Sequence, residues 1–295
     1  MVSTAPLESS RNRREGLAAF SAHLLVALIA LVVVGGATRV MEAGLACPDW
    51  PLCYGSFLPG RQMNLQVFLE WFHRLDAFVV GMGLLVLTGV SWLWRQQLPR
   101  WFPPVATLAL ALVAVQAGLG ALTVTLLLPF PVVTAHLLTA LLLVALLSGS
   151  SQALWLSPQQ RQSSGVWPWL AGAAALLVLA QCLLGGLMAT QWAAGSCLGN
   201  GDGCEWLLLH RLGARAVGLI VLLLAGVWSW RRPSDRWLAL ASALMVLLQI
   251  ALGVLSLRLS LAVPAITIAH QLGAALLVAL LSALVVRSGP ELIHG

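Results

Sequence analysis

Long apolar stretches alternate with short polar breaks along this chain. Runs of about 20 apolar residues, the length that crosses a hydrocarbon core, fall near 17–39, 69–94, 102–126, 131–150, 167–191, 207–230, 235–258 and 264–286. The pattern predicts eight transmembrane helices, and an even number puts both termini on one side. Arginines in the polar breaks decide which side. Ten (Arg11, Arg13, Arg14, Arg95, Arg100, Arg161, Arg231, Arg232, Arg236 and Arg287) fall at the ends shared with the termini, and six (Arg39, Arg61, Arg74, Arg211, Arg215 and Arg258) at the opposite ends. The positive-inside rule therefore makes the termini cytoplasmic. Trp92, Trp94, Trp101, Trp155, Trp167, Trp169, Trp228, Trp230 and Trp237 gather at the same inner ends, where an interfacial aromatic belt belongs. The apolar run of the first segment exceeds a usual signal-peptide core and ends in a poor cleavage site, so it is expected to stay as a helix.

The segments repeat. Gln116-Ala-Gly-Leu-Gly-Ala-Leu recurs as Gln181-Cys-Leu-Leu-Gly-Gly-Leu and Gln249-Ile-Ala-Leu-Gly-Val-Leu, with Val34-Gly35-Gly36 in the comparable place on the first segment. Each lies near the outer end of an odd-numbered segment. The expected architecture is an all-α integral membrane protein of two pseudo-symmetric four-helix bundles. Its divisions are a cytoplasmic tail at 1–16, an N-terminal half at 17–150, a cytoplasmic linker at 151–166, a C-terminal half at 167–286 and a short cytoplasmic tail at 287–295. Residues 1–16 are polar and are expected to be disordered.

Composition narrows the class. Hydrophobic residues make up 60% of the 295 and charged residues only 9%, against about 25% charged in soluble domains, and the mean hydropathy is +0.92. The net charge of +6 comes wholly from arginine. Because these arginines sit at segment ends, membrane orientation and anionic ligands explain them better than nucleic acid does.

Four histidines carry the candidate chemistry. His73, His136, His210 and His270 each sit a few residues inside the start of an even-numbered segment, in Trp71-Phe-His-Arg-Leu, Thr134-Ala-His-Leu-Leu, Leu208-Leu-His-Arg-Leu and Ile268-Ala-His-Gln-Leu. An ionisable side chain in hydrocarbon is costly and tends to mark function. Facing helices of a four-helix bundle can each offer one His to a cofactor plane between them, and haem iron takes an axial nitrogen on one or both faces. The repeat thus points to two bis-histidine haem sites, His73 with His136 and His210 with His270. Zinc fits less well, because each half offers two ligands and a structural zinc site takes four; proton relay is the other alternative. His23 has no counterpart in the repeat and reads as a helix-to-helix contact.

Arginine, acid and cysteine add detail. Arg74 and Arg211 each follow a His, and Arg39 and Arg258 end the first and seventh segments on the outer face, where a planar guanidinium suits a haem propionate. Interfacial snorkelling is the plainer account, and it fits Arg61 and Arg215. Glu70 lies three residues before His73, on the same helical face, whereas Leu207 holds the matching place before His210. The asymmetry makes the first half the reacting site and the second a cofactor site, unless Glu70 only pairs with Arg74 one turn on. Cys47 and Cys53 share one outer loop, and Cys197 and Cys204 share its repeat counterpart. On an oxidising face two local disulfides lead, with cross-loop pairing as the alternative. Cys182 lies inside the fifth segment as a small apolar residue.

The stretch Gly35-Gly-Ala-Thr-Arg39, then Cys47-Pro-Asp-Trp-Pro-Leu-Cys53, then Glu70-Trp-Phe-His-Arg74, with the later cysteine pair and His136, His210 and His270, resembles the haem A synthase family over all eight segments. The resemblance implies an enzyme of the bacterial plasma membrane that matures cytochrome oxidase by oxidising a ring methyl of haem O to the formyl of haem A. It further implies haem O as substrate between His73 and His136, with Arg39 and Arg74 near it, and a haem b cofactor on His210 and His270, with Arg211 and Arg258 near it. Glu70 matches the essential carboxylate of the family, and the loop cysteines match as two pairs. Haem O synthase and cytochrome oxidase assembly factors are the implied partners, with membrane lipid around the chain, and self-association stays open. From the residues alone, a quinone-linked di-haem electron carrier and a non-catalytic haem-binding assembly protein remain alternatives.

Overall fold

The computed structural model describes residues 5–156, 165–189 and 205–289. They form eight long helices: α1 (Ala5–Val40), α2 (Leu65–Leu93), α3 (Phe102–Thr125), α4 (Phe130–Trp155), α5 (Trp167–Ala189), α6 (Glu205–Arg231), α7 (Arg236–Arg258) and α8 (Pro264–Ser288). All eight are long and apolar enough to cross a membrane, so this is a multi-pass membrane protein. Two boundaries differ from the apolar pattern. Helix α1 starts at Ala5, inside the stretch expected to be disordered. An Arg11–Glu15 pair one turn apart (2.7 Å) supports this polar part, and Ser10 Oγ donates to the Gln97 carbonyl at 3.0 Å. Helix α2 starts at Leu65 because the Asn64 side chain caps it, accepting from the Val67 amide at 3.0 Å.

Helices α1–α4 close into one ring, each packed on the next and α4 back on α1, and α5–α8 close into a second. The rings meet through α4 against α8, α1 against α8 and α4 against α5, which are the contacts expected of two like units about a two-fold axis. Helix α8 is apolar all round, and Ala275, Leu277, Val278, Leu281 and Leu284 are buried in it, as suits a helix enclosed by others. Small residues let α4 approach α8 closely: a Cβ on Gly149 would stand 3.3 Å from Val286, and Ser148 Oγ donates to the Ala279 carbonyl at 2.7 Å. Much of the remaining apolar surface faces outward, as lipid allows, with exposed Trp169, Trp230 and Trp237 along one rim.

The repeat extends to backbone geometry. The α3–α4 turn places Leu127 and Leu128 in the left-handed region (φ 57° and 59°), and the α7–α8 turn does the same with Ser260 and Leu261 (φ 50° and 59°). Leu128 N donates to the Thr123 carbonyl at 2.8 Å, as Leu261 N does to Ser256 at 2.9 Å. Such conformations cost on the order of 1–3 kcal/mol at non-glycine residues. Both turns lead into the helices that carry His136 and His270.

At the opposite rim Asp235 is buried between two arginines, accepting from Arg287 Nε at 2.7 Å and Arg232 Nη2 at 3.3 Å. The group ties the α6–α7 turn to the end of α8.

Candidate functional site

Each repeated histidine packs over a glycine of the preceding helix. A Cβ added to Gly35 would fall 2.8 Å from His73 Cε1, one on Gly185 3.0 Å from His210, one on Gly253 3.2 Å from His270 and one on Gly120 3.6 Å from His136. Any larger residue at the three tightest positions would push the ring aside. One turn earlier on three of these helices a glutamine holds the histidine backbone. Gln116 Nε2 donates to the His136 carbonyl at 2.8 Å, Gln181 to that of His210 at 2.6 Å and Gln249 to that of His270 at 2.7 Å. In α1 that place is taken by Leu31.

The histidines pair within each half. Ring centroids of His73 and His136 stand 6.5 Å apart at an interplanar angle of 78°, and those of His210 and His270 6.5 Å apart at 82°. Imidazole–metal bonds run about 2.0–2.1 Å, and the ring centre lies about 1 Å further back. Two imidazoles on opposite faces of one iron therefore stand a little over about 6 Å apart, so both pairs fit a haem iron between them. No group of three or more His, Cys, Asp or Glu side chains gathers among the described residues, and each histidine pair stands by itself.

A cavity of about 1100 Å³ opens between α1, α2, α3 and α4 and reaches His73, His136, Glu70, Arg74 and Arg39. It slightly exceeds the range of about 300–1,000 Å³ usual for ligand pockets. Its outer wall is the loop closed by the Cys47–Cys53 disulfide, the local pairing that led among the alternatives. Glu70 is buried and holds this loop: Oε2 accepts from the Cys47 amide at 2.7 Å and Oε1 from Arg74 Nη2 at 2.5 Å. Arg74 also donates through Nη1 to the carbonyls of Asp49 (2.6 Å) and Leu52 (2.5 Å). The Glu70–Arg74 pair read from i,i+4 spacing is therefore present, and it carries the loop with it. Asp49, to which the sequence reading gave no role, accepts from the Tyr54 and Gly55 amides at 2.6 and 2.8 Å and shapes the same loop.

Two side-chain hydrogen bonds cross between the halves here among the described residues, beside the packing of Gly186 on Thr134 and Leu137. Arg39 Nη1 donates to the Ala189 carbonyl at the end of α5, at 2.7 Å. Gln271, next to His270, donates to the Val32 carbonyl at 3.0 Å, packs on Gly36 and lines the first-half cavity. In the sequence Gln271 is marked by its place directly after His270. In the second half Arg211 and Arg258 are exposed. Cys197 and Cys204 lie outside the described residues.

Comparison with known proteins matches this arrangement over its length. A haem A synthase of Shewanella oneidensis is 28% identical over 86% of this chain and 91% of its own. One of Sphingopyxis alaskensis is 27% identical over 90% of each. A protoheme IX farnesyltransferase of Halobacterium salinarum is 33% identical over 39% of this chain and 24% of its own. The COX15-CtaA family model, described as cytochrome oxidase assembly protein, matches residues 18–282, from α1 through α8. The chain belongs to this family of cytochrome oxidase assembly proteins.

Proposed function

We propose that this protein is a haem A synthase, oxidising a ring methyl of haem O to the formyl of haem A, with haem O between His73 and His136 and haem b between His210 and His270. The observation that carries the reading is the first-half site: a histidine pair spaced for iron, opening on a large cavity that a buried carboxylate also lines. A di-haem electron carrier gives no reason for Glu70 at one pair and Leu207 at the other.

Methyl-to-formyl conversion takes two successive two-electron oxidations, CH3 to CH2OH and CH2OH to CH(OH)2, each taking one oxygen from a water molecule and releasing two electrons and two protons, and the aldehyde hydrate then loses one water. His210 and His270 would hold a haem in the second half, which would supply a redox centre for the electrons. The first-half residues do the rest. His73 and His136 fix the macrocycle, His73 pressed on Gly35 and His136 held through its carbonyl by Gln116. Glu70 has about four lone-pair sites and gives one to the Cys47 amide of the loop and one to the Arg74 guanidinium. The others accept a proton from the reacting methyl or stabilise positive charge that develops there. Arg39 serves the propionates, while Arg74 acts mainly through the loop it holds. The Cys47–Cys53 loop keeps bulk water from the site. The cysteine loops and both sites lie near the outer membrane face, with the termini cytoplasmic. Haem O synthase is the partner that supplies such a substrate, in keeping with the short likeness to a farnesyltransferase of protohaem.

The test is co-expression with a source of haem O, followed by extraction and mass analysis of haem. Haem A is expected; unchanged haem O in a protein that has bound it overturns the reading.

A further inference from the structure

The two halves differ at the seam between their second and third helices. In the second half Gly218 of α6 faces α7, and a Cβ on it would stand 2.8 Å from Ile250 Cδ1. Ile250 lies across the seam against Gly218, with its outer side 37% exposed. In the repeat Gly218 corresponds to Gly81 and Ile250 to Ala117, each set by its distance from the histidine or glutamine of its helix. A Cβ on Gly81 would meet nothing within 4 Å among the described residues. Gly81 and Ala117 both line the first-half cavity, with Phe78 and Met82 on α2 and Val113 and Ala114 on α3. Phe78 and Met82 are also 64% and 44% exposed, so the cavity continues through this seam to the lipid-facing side.

We propose that the α2–α3 seam is a lateral portal that takes the isoprenoid tail of the haem substrate, and that Gly81 and Ala117 set its width. The proposal rests on the first half being the substrate site. The macrocycle is anchored at His73, and Met82 lies nine positions further along α2, about 13 Å at 1.5 Å per residue. An extended tail leaving the ring edge along this path runs over apolar side chains and ends in lipid, where it needs no enclosing pocket. The resident cofactor has no such tail, and its half has the seam narrowed by Ile250 against Gly218. One isoleucine against one alanine thus separates a haem that carries a tail from one that does not.

The test compares haem O with protohaem, which lacks the tail, in titrations of the purified, detergent-solubilised protein that retains its second-half haem. Wild type is expected to bind haem O more tightly than protohaem at the first-half site. Ala117→Ile is expected to weaken haem O by at least about tenfold, the loss of a few buried methylenes, and to leave protohaem within about twofold. Gly81→Leu narrows the seam from the other side and should do the same. The absorption spectrum of the second-half haem reports that each variant is folded, and Ala117→Val provides a smaller step if isoleucine is not tolerated. A preference for haem O that survives both Ala117→Ile and Gly81→Leu overturns the portal and leaves the first-half site standing. Binding of neither haem to the first half of wild type overturns the site and the portal together.

Discussion

The two halves share a frame and differ in what surrounds it. In both, two histidines stand 6.5 Å apart, each pressed on a glycine of a neighbouring helix. Around that frame the first half has Glu70 where the second has Leu207, Leu31 where the second has Gln181, and Ala117 where the second has Ile250. These three differences move the same way. The second half adds a hydrogen bond to a ligand's backbone and narrows its seam; the first leaves one histidine without that bond, opens the seam and adds a carboxylate. A tightly held pair suits a resident group, and a looser pair beside an acid suits one that must come, react and leave.

Glu70 is where the comparison breaks with the largest effect. Glu70→Gln should keep the second-half haem and lower haem A yield by about 10²–10⁴-fold, the range for general acid–base catalysis. Because Glu70 also clamps the loop, Arg74→Gln is the informative partner, since it loosens the clamp and leaves the carboxylate. Extracted haem should then show more haem A from Arg74→Gln than from Glu70→Gln. Equal yields would reduce Glu70 to a clamp, and a near-normal yield from Glu70→Gln would remove it from the chemistry.

The histidines sharpen the division of roles. His210→Ala or His270→Ala should strip most of the haem from purified protein, whereas His73→Ala or His136→Ala should leave the resident haem near its wild-type content. Pyridine haemochrome assay of the four variants reads this directly, and equal losses across all four would sink the assignment of halves.

The loops should matter least. Closing the Cys47–Cys53 loop, with a sequence separation of 6, restricts the unfolded chain by about 2 kcal/mol in chain-entropy terms. Cys47→Ser with Cys53→Ser is therefore expected to lower the thermal midpoint modestly and to leave both haem sites able to bind. Non-reducing peptide mapping should find Cys197 joined to Cys204. A bridge between Cys197 or Cys204 and Cys47 or Cys53 would overturn the local pairing in both loops.

Much of this was legible because apolar length and repetition are written into consecutive residues. Eight runs of membrane-spanning length gave the eight helices, and a histidine at one depth in four of them gave the pairs. The start of α1 was not legible from hydropathy, since a polar segment docked on the α2–α3 turn reads as a tail until the docking is seen. Arg232 and Arg287 read as orienting charges at the inner face, yet both pair with buried Asp235. The Glu70–Arg74 pair follows from spacing, but the reach of Glu70 to the Cys47 amide needs a folded loop. Gln271 and Arg39 were hardest, because their partners Val32 and Ala189 lie 239 and 150 residues away in sequence, in the other half. No periodicity links such positions.

The Arg39–Ala189 contact also says something about ancestry. Residues 39 and 189 are the same position of the repeat, counted from Gly35 and Gly185. Equivalent positions touch each other only at a symmetry axis. In a dimer of two identical four-helix chains, whatever stood here would meet its own copy. Two arginines would confront each other there and two alanines would leave the helix-end carbonyl without this guanidinium partner. Joining the units into one polypeptide lifts that constraint, so one copy can keep the cation while the other supplies the carbonyl that receives it. The axis is thus the place where a duplicated protein can first stop being symmetric, and here it has done so beside the site where the substrate is proposed to bind.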